Sequence, residues 1–463
     1  MPGNIERVLI IGLDCAEPSL VFDLWRGYLP NLRRLMEQGA WTTMNSTTPP
    51  ITIPAWSCMM TSKDPGTLGI YGFRNRKDFT YAGLSFATST AVKEPRLWDI
   101  LGQAGKSSIL LGVPGTYPVS PVNGAMVGCF LTPDPATNNY TYPASLRDEI
   151  DGVLGKNQYR VDVSNYRTEN KADLLREIYE MTDRRFALAK HWIQTKPWDF
   201  FMLVEMGIDR VHHAFWRYFD PQHRKYEPGS PYAHAIRDYY LHVDQLIGEL
   251  LDRLPARTAV IVVSDHGSKR IDGGIAINEW LIRQGYLTLA EYPKQPTPLG
   301  MLPVDWTKTK VWSEGGYYAR VFINRQGREP QGIVSSSQYE SLRDELILKL
   351  EALGDEAGRP IGTRAYRPEQ LYRKCNAIPP DLVTIFGQLL WRSIGSVGYH
   401  AVHVFDNDTG PDDANHAQDA LFIMSGPGIP AGRIAPIDLL DVAPTVLKLL
   451  GFPVPPDMQG RAL

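Results

Sequence analysis

Cysteine is scarce in this chain of 463 residues, and several other features are missing altogether. The four cysteines lie far apart without a CxxC pair, which disfavours a thiolate metal site, a redox motif and a disulfide framework. No stretch of about 18 apolar residues exists, and the run from Val8 to Leu13 is too short for the core of a signal peptide. We therefore expect a cytoplasmic protein that does not enter a membrane.

The chain also lacks a large surplus of either charge. Its net charge is −3 at neutral pH, and no basic block indicates binding to a nucleic-acid polymer or an anionic membrane. With 43% hydrophobic and 21% charged residues, the composition is that of a folded globular protein rather than a disordered one. The length allows two or three average domains, or one large domain with insertions.

Apolar runs that predict buried strands alternate with helical patterns along much of the chain. The predicted strands cover 7–13, 108–113, 200–204, 259–263 and 420–424. The predicted helices cover 29–39, 96–102, 171–195, 232–254, 339–353 and 438–450, and another begins at Ala55. This alternation predicts a doubly wound α/β fold, in which helices cover both faces of a mostly parallel sheet. We expect one domain over residues 1–463, with insertions at about 114–166 and 285–400 that form a cap or subdomain.

Acidic and imidazole side chains follow three of the predicted strands, where a doubly wound fold places its active site. Asp14 follows the first strand, and Asp265 and His266 follow the strand at 259–263. Asp209 and His213 lie beyond the strand at 200–204, and their spacing of four places both on one face of a helix. Each taken alone also fits a helix cap or a turn. Together they are a ligand set that suits zinc or manganese.

Thr52 stands in the segment TTPPITIPAW, just before a predicted helix. Its hydroxyl could simply cap that helix. Alternatively, the free N–H groups and the positive end of the helix dipole could bind a phosphate beside the hydroxyl. A threonine hydroxyl is a weak nucleophile, and coordination to a metal is one way to activate it. Both interpretations stay open on this segment alone.

The chain resembles the alkaline phosphatase superfamily in a series of motifs that occur in the family's order. They are GLDCAEP, TPPITIPAWSCMMTSKDPG, DRVHH, SDHG and NHAQDALFIMSGPGI followed by DVAPTVLKLLG. The branch they resemble is that of the type I phosphodiesterases and nucleotide pyrophosphatases, with its predicted phosphohydrolase and phosphomutase relatives. The resemblance implies an alkaline phosphatase-like fold and a phosphodiesterase that uses two divalent metal ions and a phospho-threonine intermediate.

The resemblance also implies which residues hold the two metals. One set would be Asp14, Thr52, Asp265 and His266, with Thr52 as the nucleophile, and the other Asp209, His213 and His416. The family's D-x-x-x-H spacing selects His213 over His212, and His403 is the alternative to His416. Zinc is the expected ion, although manganese would use the same ligands. Two such ions and three aspartates leave the site at about +1, which would attract a small anionic phosphate ester as substrate.

Departures from the family are few, and they leave other functions to be weighed. Leu68 replaces a histidine of the PGxHG pattern, and Ser62 replaces a glycine. The segment around Thr52 lacks the C/S-x-P-x-R motif of sulfatases, and no phosphate-clamping arginine of the monoesterases can be identified by position. A diesterase is therefore favoured over a phosphomonoesterase or phosphomutase. A non-catalytic binding module on the same fold is disfavoured because all seven ligand positions carry a competent residue.

Several aromatic and basic residues could line a substrate pocket, although packing of the aromatic rings and solvation of the charged groups are the favoured explanation. They are Tyr71, Phe73 and Arg74, then Phe215, Trp216 and Arg217, and also Lys63.

Overall fold

The computed structural model describes residues 5–463, which contain 23 strands. These are β1 (Arg7–Leu13), β2 (Gly39–Asn45), β3 (Arg74–Arg76), β4 (Leu84–Phe86), β5 (Ser108–Leu111), β6 (Gly124–Val127), β7 (Thr141–Tyr142), β8 (Phe200–Glu205), β9 (Thr258–Val263), β10 (Gly267–Arg270), β11 (Gly273–Ala276), β12 (Thr297–Pro298), β13 (Val311–Glu314), β14 (Ala319–Ile323), β15 (Arg364–Tyr366), β16 (Leu382–Ile385), β17 (Trp391–Ile394), β18 (Ser396–Val397), β19 (His403–Val404), β20 (Ala414–Ala417), β21 (Asp419–Ser425), β22 (Gly432–Arg433) and β23 (Ile437–Asp438).

The same residues form twelve α-helices and several short 3₁₀ or π turns. The α-helices are α1 (Pro30–Gln38), α2 (Thr52–Thr61), α3 (Pro65–Leu68), α4 (Leu97–Gln103), α5 (Leu146–Leu154), α6 (Lys171–Thr195), α7 (Gly207–Phe219), α8 (Ala235–Leu251), α9 (Ile277–Arg283), α10 (Ser336–Glu351), α11 (Pro368–Leu371) and α12 (Val442–Leu449). No helix of this part of the chain is both long and apolar enough to cross a bilayer.

Ten of the strands form a central sheet in the order β22-β2-β21-β9-β1-β8-β5-β6-β7, with β23 also paired to β2. The five consecutive strands from β9 to β6 run parallel, and β21 joins β9 in the antiparallel sense. Every residue of β8 is buried, so other parts of the chain cover both faces of the sheet there. These observations confirm the predicted α/β fold with a mostly parallel sheet.

A second apolar core lies outside the central sheet, among buried residues between Ile275 and Val397. It includes an antiparallel sheet of four strands in the order β13-β14-β16-β15, against which α10 packs through β15. The strands of this sheet are only three to five residues long. Strands of this length are too short to show a clear alternation in the sequence.

The segment 114–166 differs from the loops or cap expected from the sequence. It contributes β6 and β7 to the central sheet and also contains α5. The two strands are only four and two residues long, so neither shows the alternation that identifies a longer strand. The edge of the sheet therefore extends into a region that the sequence assigned to an insertion.

Helix α2 begins at Thr52, three residues before the predicted start at Ala55. Ile51 precedes it with extended backbone angles, φ −128° and ψ 131°. Pro54 lies within the first turn, where its missing N–H would have no partner inside the helix anyway. The proline that suggested a later start is therefore compatible with a helix that begins at the hydroxyl of Thr52.

Candidate metal centre

The central sheet brings the predicted residues to one edge, because the carboxyl ends of parallel strands meet there. Asp14 directly follows β1, and Asp265 and His266 follow β9 by two and three residues. The neighbouring strand β8 leads into α7, which carries Asp209 and His213. Thr52 opens α2 and His416 lies on β20, so loops and an additional strand complete the group. All seven side chains are buried.

One part of the cluster surrounds the imidazole of His266. Its Nε2 atom lies 3.1 Å from Oδ2 of Asp265 and 3.9 Å from Oδ1 of Asp14. The hydroxyl oxygen of Thr52 is 3.4 Å from the same Nε2 atom. Four potential ligands therefore converge on a single point beside the start of α2.

The other part of the cluster surrounds the carboxylate of Asp209. Its Oδ1 atom lies 3.3 Å from Nε2 of His213 and 3.9 Å from Nε2 of His416. The rings of His416 and His266 stack with centroids 3.7 Å apart. Ligand atoms of Asp209, His266 and His416 lie within 4.8 Å of one another, as do those of Asp14, Asp265 and His266. His266 thus belongs to both groupings, and its assignment to the set of Asp14 stays a prediction.

The three histidines share one orientation, with Nδ1 bound to an outer partner and Nε2 directed inward. Nδ1 of His416 hydrogen-bonds to the carbonyl oxygen of Pro50 at 2.7 Å, and Nδ1 of His266 to that of Gly267 at 3.1 Å. Nδ1 of His213 lies 2.6 Å from Oδ1 of Asp412. Outer partners of this kind fix the ring and the tautomer of metal-binding histidines.

Two carboxylates of the cluster retain buried oxygen atoms without hydrogen-bond partners among residues 5–463. These are Oδ1 of Asp14 and Oδ2 of Asp265, although Oδ2 of Asp14 accepts a hydrogen bond from the indole of Trp56 at 2.6 Å. Burial raises the pKa of Asp14, and the charge of Asp209 adds to that shift. Burial also raises the pKa of Asp265, and here the charge of Asp14 adds to the shift. Buried carboxylates that repel one another and lack donors fit a site for cations.

The pKa values of two of the three histidines are those expected of metal ligands. Burial lowers the pKa of His266 to about 4 and that of His416 well below its ordinary range, so both rings are neutral and able to bind a metal. Burial would also lower the pKa of His213, but Asp412 and Asp209 raise it well above its ordinary value. At His213, a cation would therefore have to compete with a proton.

Asp412 is a residue of this centre that the sequence analysis missed. Its buried carboxylate contacts His213 and also binds Arg167 at 3.1 Å and Arg392 at 3.0 Å. It lies in an irregular segment before β20 and belongs to none of the motifs quoted above. The pair Asp412-Asp413, shortly before His416, is the one feature of the sequence that could have pointed to an outer partner. Only the fold shows that Asp412 is the aspartate that faces His213.

Tyr317 is a second residue that the sequence did not indicate. Its ring lies 4.0 Å from that of His416, and its hydroxyl is 3.5 Å from Nε2 of His213. It follows Gly315 and Gly316 in the region of the second apolar core. That region therefore covers the metal-binding residues on one side.

A cavity of about 420 Å³ opens from the cluster, with Thr52, Asp209 and His416 in its wall. Aromatic side chains and five arginines form much of the remaining wall. These residues are Phe73, Phe86, Phe130, Tyr166, Tyr317 and Tyr318, with Arg74, Arg167, Arg210, Arg320 and Arg392. The arginines come from segments distant in sequence, so their convergence is visible only in the folded chain.

Arg210 is closest in sequence to the cluster, and carboxylates occupy its donors. Nη1 binds Oδ2 of Asp209 at 2.5 Å, while Nε and Nη2 bind the two oxygens of Asp162 at 2.9 and 2.6 Å. Burial alone would raise the pKa of Asp209, but His213 and Arg210 hold it well below its ordinary value. Arg210 therefore keeps Asp209 ionised and oriented.

The alternative histidines lie outside the cluster. His212 packs against Trp216 and Tyr240, with ring centroids 5.1 and 5.6 Å away. His403 lies on β19, and its Nε2 atom hydrogen-bonds to the carbonyl oxygen of Gly354 at 2.8 Å. The assignment of His213 and His416 as ligands in place of these two histidines stays a prediction.

Of the residues considered for a substrate pocket, Phe73 and Arg74 line the cavity. The others have partners elsewhere. Tyr71 donates to the carbonyl oxygen of Asn376 at 2.7 Å, and Lys63 pairs with Asp457 at 2.7 Å. Arg217 pairs with Glu169 at 2.5 Å, next to the buried Phe215 and Trp216.

Comparison with known proteins places these observations in context. A family described as type I phosphodiesterase / nucleotide pyrophosphatase matches residues 8–401. No curated protein sequence matches the chain significantly.

Solved structures resemble the chain over nearly its whole length. Human ectonucleotide pyrophosphatase / phosphodiesterase 5 is 14% identical with a TM-score of 0.56, over 97% of this chain and 96% of that one. An inactive form of the murine protein, in complex with AMP, has the same identity and coverage with a TM-score of 0.55. Phosphonoacetate hydrolase from Sinorhizobium meliloti, in complex with phosphonoacetate, is 17% identical with a TM-score of 0.62 and again 97% and 96% coverage. At these identities the likeness establishes the fold.

Proposed function

The chain belongs to the type I phosphodiesterase / nucleotide pyrophosphatase family of the alkaline phosphatase superfamily, and we propose that it is a metal-dependent phosphodiesterase with Thr52 as nucleophile. Family membership supports a phosphoester hydrolase in general. The observation that supports the finer proposal is the position of the Thr52 hydroxyl, 3.4 Å from Nε2 of His266 within the buried cluster of aspartates and histidines.

The donor set fits two divalent transition-metal ions. We propose zinc for both, with manganese as the alternative. Asp14, Thr52, Asp265 and His266 would hold one ion, and Asp209, His213 and His416 the other. When bound, the ions would favour the ionised Thr52 hydroxyl and offset negative charge on the phosphoryl oxygens. The buried, partnerless oxygens of Asp14 and Asp265 support this fit.

The residues of the chain have separate roles in the proposed reaction. The first turn of α2 supplies free backbone N–H groups at Thr52 and Ile53, where a phosphoryl group can bind. The Thr52 oxygen attacks phosphorus, and the bond to one alcohol breaks. That alcohol leaves with the proton lost from Thr52, while the phosphoryl group, still esterified to the second alcohol, stays on Thr52. Water then attacks the phospho-threonine, which regenerates the hydroxyl and releases a phosphate monoester.

A diester is the proposed substrate class because a monoester carries one more negative charge to be neutralised. Carboxylates already occupy the arginines near Asp209: Arg210 binds Asp162 and Asp209, and Arg167 and Arg392 share Asp412. A small ligand such as the AMP or the phosphonoacetate of the neighbouring structures is of the kind that we propose for the cavity of about 420 Å³.

The test compares zinc- and manganese-loaded protein on bis(4-nitrophenyl) phosphate and 4-nitrophenyl phosphate. Thr52→Ala should lower kcat by on the order of 10³-fold or more while metal content is unchanged. Thr61→Ala is the matched control, because Thr61 lies at the other end of α2 and its hydroxyl donates to the carbonyl of Ser57 at 2.8 Å. A Thr52 peptide that carries a 4-nitrophenyl phosphoryl group, trapped from the diester by acid quench and detected by mass spectrometry, would support the covalent step.

The outcomes separate the rival functions. A preference for the monoester would indicate a phosphatase or phosphomutase. Turnover retained in Thr52→Ala would end the proposal for the nucleophile. Metal binding without turnover of either ester would favour a non-catalytic binding module.

A further inference from the structure

Two arginines of the cavity, Arg74 and Arg320, differ from the others in having no carboxylate partner. Among residues 5–463, no carboxylate oxygen lies within 4.0 Å of either guanidinium. The three remaining arginines of the cavity each bind Asp162, Asp209 or Asp412. Arg76, a buried arginine two residues after Arg74, also has a carboxylate partner, Glu329, at 3.0 Å.

Arg320 is the more unusual of the two because it is only 8% exposed. A buried charge without a counter-charge is costly, so buried arginines are normally paired. Within the described chain its guanidinium makes one hydrogen bond, from Nη1 to the carbonyl oxygen of Arg74. Most of its guanidinium donors are therefore available to a ligand in the cavity.

Arg74 lies beside it on the hairpin formed by β3 and β4. Its guanidinium carbon is 4.9 Å from the ring centre of Phe86, the residue opposite it in the hairpin. An arginine that stacks on an aromatic ring keeps its in-plane N–H groups free for an anion. Arg74 and Arg320 therefore present donors from two separate parts of the fold to the same cavity.

The two arginines lie close to the proposed nucleophile. Tyr318, two residues before Arg320, packs in one apolar cluster with Ile51, the residue before Thr52. Gly72 lines the same cavity, and a methyl group placed on its Cα would lie 3.7 Å from Nη1 of Arg320. A substrate bound at Thr52 can therefore extend to these guanidinium groups.

Glu314 lies opposite Arg320 in the pairing of β13 with β14, and it also lines the cavity. It forms no ion pair with either arginine within 4.0 Å in the described chain. Burial raises the pKa of Glu314, while the charges of Arg320 and Arg74 oppose that shift. Two guanidinium groups against one carboxylate leave this part of the cavity positively charged.

We propose that Arg320 and Arg74 form a second anion site, which binds a carboxylate or phosphate group that the ester substrate carries in addition to its scissile phosphoryl group. This inference rests on the proposed function, since it assumes that the scissile group lies at Thr52. It narrows the substrate class to phosphoric or phosphonic esters with a second anionic substituent.

The test measures equilibrium binding of matched phosphonates to the metal-loaded protein by calorimetry. Three series of equal chain length are compared, with two to five methylene groups: alkylphosphonates, ω-carboxyalkylphosphonates and α,ω-bisphosphonates. The quantity of interest is the ratio of Kd for the simple alkylphosphonate to Kd for the ligand with the second anion. At the best chain length we expect this ratio to be about 10 to 100, because hydrogen bonds between charged groups are strong.

Arg320→Gln and Arg74→Gln should each lower that ratio towards 1. Arg359→Gln is the matched control, because the Arg359 side chain is 79% exposed and lies outside the cavity. If Arg320→Gln fails to fold, the more exposed Arg74→Gln carries the test. A larger ratio for the carboxylates would identify a carboxylate ligand, and a larger ratio for the bisphosphonates a second phosphate.

A ratio near 1 at every chain length in the wild-type protein would overturn the anion site, and so would a high ratio that persists in both variants. Turnover of bis(4-nitrophenyl) phosphate that depends on Thr52 tests the proposed function separately. Loss of the ratio with Thr52-dependent turnover intact would refute this inference alone. A high ratio without turnover of either ester would refute the proposed function and leave the anion site standing.

Discussion

Replacing Asp412 with asparagine tests whether the outer partner of His213 sets the affinity for the second metal ion. Asparagine keeps the size of the side chain and an oxygen to accept the Nδ1 hydrogen bond, which is 2.6 Å long in the wild-type protein. The change removes the negative charge and replaces Oδ2, which accepts hydrogen bonds from Arg167 and Arg392, with an NH2 group. The variant therefore keeps the acceptor for His213 while the charge beside it is lost.

The expected magnitude follows from the burial of this contact, since both side chains are at most 1% exposed. A hydrogen bond to a charged group contributes about 1.5–3 kcal/mol, and one between neutral groups about 0.5–1.5 kcal/mol. The difference of about 1–2 kcal/mol corresponds to roughly 5- to 30-fold in affinity. Loss of outer partners in other metal sites weakens metal binding by about 10- to 100-fold.

Metal content is measured after equilibration against a series of zinc buffers, with bound zinc per chain determined by mass spectrometry. In Asp412→Asn, the second ion should require roughly 5- to 30-fold more free zinc, and the first ion should bind as before. Asp413→Asn is the control, because burial raises the pKa of Asp413 to about 7 and its carboxylate faces Arg217 at 3.6 Å. Identical zinc-binding curves for wild type and Asp412→Asn would refute this reasoning.

Three further predictions concern the site and the stability of the fold. His416→Ala should lower the zinc content from about two ions per chain to one. If the zinc content is unchanged in His416→Ala but falls in His403→Ala, His403 is the ligand instead. Trp56→Phe removes the N–H group that donates to Asp14 at 2.6 Å, so the ion held by Asp14 should bind about tenfold more weakly in the same assay. Burial lowers the pKa of His223 to about 4 from 6.5, so acid protonates the unfolded chain first and stability is lost as the pH falls from 6.5 towards 4. At pH 5 the loss in the free energy of unfolding is about 2 kcal/mol, and His223→Gln should not show it when urea unfolding is compared at pH 5 and 7.5. An equal pH dependence in both proteins would show that His223 is not the source of the loss.

The order of strands and helices could be predicted from the sequence because its signals are local. The run VLIIGL in β1 and the run AVIVV in β9 are continuous apolar segments, and helix α6 has the predicted bounds, Lys171–Thr195. Such patterns record which residues must be buried, and burial of alternating strands and helices leads to a parallel sheet. The short strands β6 and β7 escaped prediction because two to four residues carry too little of that pattern.

Five of the seven candidate ligands were visible in the sequence because they come after strands whose ends meet at one edge of the sheet, whereas the roles of Thr52 and His416 came from the family motifs. The tertiary structure decided what surrounds them. Tyr317 and Arg320 come from the region of the second apolar core, and Asp412 comes from an irregular segment before β20. Their distances to His416, Arg74 and His213 depend on how these segments pack over the sheet. Sequence by itself therefore determined the fold class and the seven candidate residues. The partners of His213 and the charge of the cavity arise from contacts between residues 104 to 246 positions apart in the chain, so they depend on the tertiary structure.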